Sequence, residues 1–391
     1  MEKPQKRDST IDLLRGVSIL LVLVHHFHLT YRIDRGLLAE IFPVDFLKRL
    51  GGNGNYGVTI FFVISGFLIT STTIARFGEL KNVSLRSFYA FRFARIIPNI
   101  ALMLCIVLIL GWAGLEIFQN TPGTASMGAT LLSILTFTHN VLMQKFGWFN
   151  YCLNTLWSLS VEEVFYFAFP LLCIFLRNQR LILCSWVAII VIAPIYRARH
   201  LDNDIIALHD YLSCFDAIAM GCITAVAAKR LHLSLSLRYL SILASCGLIA
   251  VVYFYKGILA NAVYGVSLVA CSTAVILFSK SDTAFFNGRT SRVVCWFGKN
   301  SYELYLFHII VLALMRTAVK QEDLGYYAKP LWFTFFITSS AFAAELISKF
   351  YSEPLNRKLR SFFAIRKADN SIKSINLIDR IFASNSVRRG R

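Results

Sequence analysis

The sequence predicts an all-α protein, a polytopic integral membrane helix bundle of about ten transmembrane helices with both termini cytoplasmic. Three observations carry that expectation. Hydrophobic residues make up 56% of the chain and charged residues only 16%, with a mean hydropathy of +0.59. A soluble domain carries about 25% charged residues, so this chain has too little polar surface to face water everywhere. Apolar runs close to the ~20 residues needed to cross the hydrocarbon core recur along its length. Lys and Arg gather between alternate runs, as the positive-inside rule requires.

The runs fall at 11–30, 56–75, 96–113, 156–176, 181–196, 211–228, 239–255, 258–279, 301–315 and 331–348, the fifth and ninth being short. The first is preceded by Lys3, Lys6 and Arg7, as a signal peptide would be. Arg15 interrupts it, however, and His25, His26 and His28 follow it in place of small residues around a cleavage site. It reads as an uncleaved first transmembrane helix. A further segment, 126–143, is amphipathic and only moderately apolar, which suits one short re-entrant or interfacial helix. With that segment not spanning and the N-terminus inside, 28 of the 40 Lys and Arg residues fall on inside segments and 11 on outside loops. Arg15 lies within the first helix. If 126–143 spanned, the basic tail would face outward and the bias would invert. Residues 1–360 therefore form a transmembrane domain and 361–391 a basic cytoplasmic tail, in a multi-pass protein of the plasma (inner) membrane.

The net charge of +18 does not point to nucleic acid. Eleven basic residues sit in 349–391 among Ser, Asn and Asp, where they favour anionic headgroups. Membrane lipid is an expected partner and nucleic acid is not. The nine cysteines form no CxxC pair and no Cys/His cluster, so they read as small hydrophobes and no metal site is expected. There is no internal repeat and no Gly-rich phosphate loop.

Within the first helix, Arg15 and His26 are eleven residues apart. That is three turns plus roughly 20°, which puts both on one helix face. Asp12 falls within about 60° of that face and His25 about 80° away. The rise from Arg15 to His26, roughly 16 Å, takes the imidazole about halfway through the bilayer. Ionisable groups at that depth are costly and face the bundle interior or a wet cavity. Arg15 suits an interfacial anchor or a functional cation. His26 suits interhelical hydrogen bonding or a general base for a hydroxyl. Arg92 and Arg95 share a helix face at the inner border, where they serve as anchors or as a phosphate fork. Ser65 and Gly66 lie near mid-membrane, either for close packing or to leave room for a thin ligand. Of the adjacent Glu162 and Glu163, Glu162 aligns with Ser158 and Tyr166 and is the better cavity candidate. Tyr305 and His308 form a Tyr-x-x-His step that suits packing or cavity lining.

DLLRG (12–16) followed ten residues after Gly16 by His26 resembles the signature of the membrane-bound acyltransferase-3 family, whose members O-acylate sugars and other acceptors. GVTIFFVISGFLIT (57–70), FYAFRFARIIP (88–98), LWSLSVEEVFYF (156–167), SYELYLFH (301–308) and SEPLNR (352–357) are similar to further elements of that family, in order. Val164 stands where a polar residue is common. The resemblance covers residues 12 to about 357. It implies transfer of an acyl group, acetyl by default, from acyl-CoA to a carbohydrate hydroxyl, as in O-antigen, capsule, exopolysaccharide or oligosaccharide. His26 would be general base or transient acyl carrier, with Arg15, Asp12 and Glu162 as further catalytic residues. Arg92, Arg95, Ser65, Gly66, Tyr305 and His308 would bind substrate. Acyl-CoA is then a donor substrate, and no permanently bound cofactor is expected. A proton-coupled secondary transporter also uses intramembrane His and Glu, but such folds show inverted repeats that this sequence lacks. A receptor or scaffold that keeps polar residues for packing is a third reading.

Overall fold

The computed structural model describes residues 8–231, 233–255, 260–279 and 288–363. Those residues form helices and turns, with no β-strand among them. Ten long helices organise them: α1 (Ser9–Tyr31), α2 (Asn55–Phe77), α3 (Leu85–Trp112), α4 (Trp157–Leu176), α5 (Gln179–Arg199), α6 (Tyr211–Ala227), α7 (Leu235–Phe254), α8 (Val266–Ser279), α9 (Ser301–Ala318) and α10 (Lys329–Ile347). Nine helical segments among the described residues are long and apolar enough to cross a membrane, and they include every one of these helices except α9. The chain is a multi-pass integral membrane protein.

The exception has a physical reason. α9 is 18 residues long, about 27 Å, but carries Glu303, His308 and Arg316. It packs against α10, α1 and α3, with Glu303 and His308 buried. A helix surrounded by protein does not need an apolar circumference. Lipid-facing helices do, and Phe167, Phe175, Phe335 and Phe342 stand exposed on α4 and α10.

The segment 126–143 forms two short helices, Met127–Leu135 and His139–Phe146, with Phe137 between them at φ 58°. Neither is long enough to span. α10 continues through a π-helical turn, Ser348–Ser352, and helix runs on as far as Phe363. Most of the expected tail, 364–391, lies outside the described residues.

α1 starts where Asp8 caps it, its carboxylate accepting from the amides of Thr10 at 3.0 Å and Ile11 at 3.4 Å. It ends at Arg32, which adopts the left-handed conformation at φ 55°. α2 and α6 pack closely through glycine. A Cβ on Gly66 would overlap the Ile218 carbonyl, and one on Gly221 would overlap the Val63 carbonyl. Small residues of this kind let membrane helices approach without a hydrophobic driving force.

α5 is longer than its apolar run suggests and buries Arg197, which the charge count assigns to an outer loop. Its guanidinium lies 2.7 Å from Asp216 on α6 and donates at 2.6 Å to Ser267 on α8. Both charged side chains of the pair are fully buried. One ion pair thus ties three helices together.

Candidate active site

Among the described residues, two of the cavities lie at opposite ends of the bundle. The larger, about 1560 Å³, lies where α1 and α9 end and α2 and α4 begin. It exceeds the roughly 300–1,000 Å³ of ordinary small-molecule pockets. His25, His26, Tyr151, Trp148, Trp157 and Arg316 are among its lining residues. The smaller is a slot of about 100 Å³ where α1, α3 and α9 begin. Arg15, Ser65, Arg92, Arg95, Glu162 and Tyr166 are among its lining residues. Val58 and Tyr305 line both. The Tyr305 hydroxyl is held by Thr155, to whose carbonyl it donates at 3.0 Å, and by Ser158 at 2.6 Å.

Arg15 and His26 do share an inward face of α1, one at each cavity. The Arg15 Nε donates to Ser301 at 3.1 Å. The His26 Nδ1 lies 3.0 Å from the Val22 carbonyl and 3.2 Å from Nε2 of His308. The His308 Nδ1 is 2.8 Å from the Leu304 carbonyl. A carbonyl only accepts, so each Nδ1 carries hydrogen. In the neutral pair, Nε2 of His308 is therefore bare and accepts from the Nδ1–H of His26. Among the described residues no group hydrogen-bonds the His26 Nε2. Its lone pair is free on the far side of a ring that lines the larger cavity. That is the arrangement a general base needs, with one nitrogen oriented by a partner and the other open to a hydroxyl.

Glu162 accepts from Ser65 at 2.7 Å and lines the slot, whereas Glu163 lies 3.8 Å from Arg92. Arg92 stands over the Tyr166 ring, 3.2 Å from its centre. Its guanidinium is therefore already engaged by an aromatic face and a carboxylate. Arg95 also lines the slot and stands 5.8 Å from the centre of the Tyr302 ring.

Three expected site residues sit elsewhere. Gly66 lines neither cavity, because the Ile218 carbonyl fills the space its missing side chain leaves. The room expected there for a thin ligand does not exist. His308 is fully buried and lines neither cavity, so it touches His26 rather than substrate. Asp12 is buried where α1 packs on the short helix Arg289–Lys299, its carbonyl against Gly298, and also lines neither cavity.

Sequence reasoning missed other residues. His25 lines the larger cavity, with its Nδ1 2.7 Å from the Gly51 carbonyl. Tyr151 hydrogen-bonds Thr30 at 2.7 Å and carries the Arg316 guanidinium 5.3 Å from its ring centre. The Trp148 and Trp157 rings lie 5.1 and 4.4 Å from that of His209. The Trp and Tyr enrichment near 148–157 was the available signal, since aromatic residues are favoured both at binding sites and at membrane interfaces.

The site is thus an imidazole pair inside a membrane-spanning helix bundle, with His26 facing the larger cavity and His308 buried behind it. The chain belongs to the acyltransferase-3 family, whose model, described as an acyltransferase domain, matches residues 8–348. It is similar to the O-acetyltransferase OatA of Staphylococcus aureus, 24% identical over 90% of this chain and 58% of that protein. The peptidoglycan O-acetyltransferase OatA of Listeria monocytogenes is 25% identical over 89% of this chain and 56% of its own length. The putative peptidoglycan O-acetyltransferase YrhL of Bacillus subtilis is 25% identical over 78% and 48%. The chain thus spans about half to three-fifths of the length of these relatives. No solved structure gives a significant match.

Proposed function

We propose that this protein transfers an acetyl group from acetyl-CoA to a carbohydrate hydroxyl, the acceptor being a cell-envelope polysaccharide. The observation that carries this reading is the free Nε2 of His26 in the larger cavity, beside the Tyr305 wall that this cavity shares with the slot. The family and the names of the relatives support acyl transfer to a polysaccharide.

The donor enters the slot from the cytoplasmic end, near Arg95, and its thioester reaches toward Tyr305. The acceptor occupies the larger cavity, whose aromatic rings suit the apolar faces of sugars. The His26 Nε2 removes the acceptor proton as the hydroxyl oxygen attacks the thioester carbonyl. The C–S bond breaks and the CoA thiolate leaves, and it recovers the proton that His26 holds. His308 receives the Nδ1 hydrogen bond throughout and so favours the imidazolium. Arg15 supplies positive charge at the slot. A covalent route, with Nε2 first attacking the thioester, uses the same nitrogen.

The experiment compares acceptor acetylation and thiol release for wild type and His26→Ala at equal protein level. Loss of a general base is expected to lower the rate by about 10²–10⁴-fold. Near-normal activity overturns the proposal. A transporter would release no thiol in the wild type.

A further inference from the structure

We infer that Arg76 and Arg360, together with Arg95, form a phosphate-ester site at the mouth of the slot, and that it holds the nucleotide phosphates of the donor. This inference rests on the acyl-CoA reading and names the part of the donor that the slot itself is too narrow to take.

Phe91, in the second turn of α3, organises the cluster. The Arg76 guanidinium, from the last turn of α2, lies 4.2 Å from its ring centre. That of Arg360, from the helix that follows α10, lies 5.6 Å from the same centre. Arg95 follows Phe91 by one helical turn and lines the slot. Segments 284 residues apart in sequence thus bring like charges to one ring. Among the described residues none of the three forms an ion pair with a carboxylate, although the Arg95 charge is felt by Glu162 and Glu163 inside the slot.

The contrast with Arg92 matters. Arg92 carries the same charge one residue from Phe91, yet it turns inward to Tyr166 and Glu163. Arginines that merely anchor a helix at the inner interface extend separately toward water and headgroups. Here two exposed guanidinium groups from distant segments converge on one ring, an arrangement that favours an anion between them. Guanidinium forks match phosphate oxygens in bidentate fashion. Coenzyme A offers a diphosphate and a 3′-phosphate at the end opposite its thioester. With the thioester at Tyr305, those phosphates emerge on the Arg95 side of the slot.

The shared chemistry is a phosphate ester, and an anionic lipid headgroup is the other source of one. The test uses the full chain in vesicles of zwitterionic lipid, with three donors: acetyl-CoA, acetyl-dephospho-CoA and S-acetylpantetheine. Arg76→Gln with Arg360→Gln is expected to raise the KM for acetyl-CoA about tenfold or more, the loss of at least one charged hydrogen bond. The KM for S-acetylpantetheine should stay where it is in the wild type, since that donor has no phosphate. Arg76→Lys with Arg360→Lys should lie between, which separates charge from misfolding. A KM unchanged for acetyl-CoA, or raised equally for both donors, overturns the site. If the double variant differs from wild type only when phosphatidylglycerol is added to the vesicles, the cluster binds lipid and the donor assignment is wrong. If the wild type turns over none of the three donors, the acyl-CoA reading itself fails, a result distinct from the others.

Discussion

The hydrogen bond between His308 and His26 decides which nitrogen does the chemistry. Were His308 absent, the His26 Nδ1–H would keep only the Val22 carbonyl, and its ring would lose the contact that opposes rotation. His308→Leu is therefore expected to lower kcat about ten- to a hundredfold, in line with loss of one hydrogen bond to a charged group. Its KM for donor and acceptor should stay within about twofold, because His308 touches neither. His308→Gln, whose side-chain oxygen can accept the same hydrogen, should recover much of the rate. Equal loss in both variants, or a loss confined to KM, would remove the positioning role. The pairing of Arg15 with His26 on one face was legible from helical spacing alone. The His308 contact was not, since 282 residues separate the two rings and only the packing of α9 on α1 joins them.

At the scale of elements, the glycine contact between α2 and α6 selects close packing over ligand room at Gly66, while Ser65 beside it lines the slot. Local sequence shows that a glycine lacks bulk. It does not show what fills the space, and here a backbone carbonyl from the neighbouring helix does. Gly66→Val is expected to cost about 1–3 kcal/mol by overpacking. That would appear as a lower Tm in detergent with an unchanged donor KM for the folded protein. A raised KM at unchanged Tm would restore the ligand-channel reading. Arg197 teaches a similar lesson about charge. Counting it with an outer loop was reasonable from hydropathy, because its partner Asp216 lies on another helix and the spacing along one chain segment cannot reveal the pair. Most helix bounds were legible because each lipid-facing helix must be apolar around much of its surface. α9, shielded by protein, escapes that requirement and reads in the sequence only as the short run 301–315.

Seen whole, the bundle has a wide cavity at one end and a narrow slot at the other, and Tyr305 and Val58 line both. One phenol ring and one isopropyl group therefore form part of the partition between the two cavities. A cell that relies on a proton gradient must keep this partition tight to protons even where the two cavities adjoin. Tyr305→Ala, which removes the ring and its anchors at Ser158 and Thr155, should let a pH gradient across proteoliposomes collapse several-fold faster than with wild type. Collapse at the wild-type rate would mean that other side chains close the gap. Faster collapse would mean that the phenol lining both cavities is also what stops the bundle from behaving as a leak.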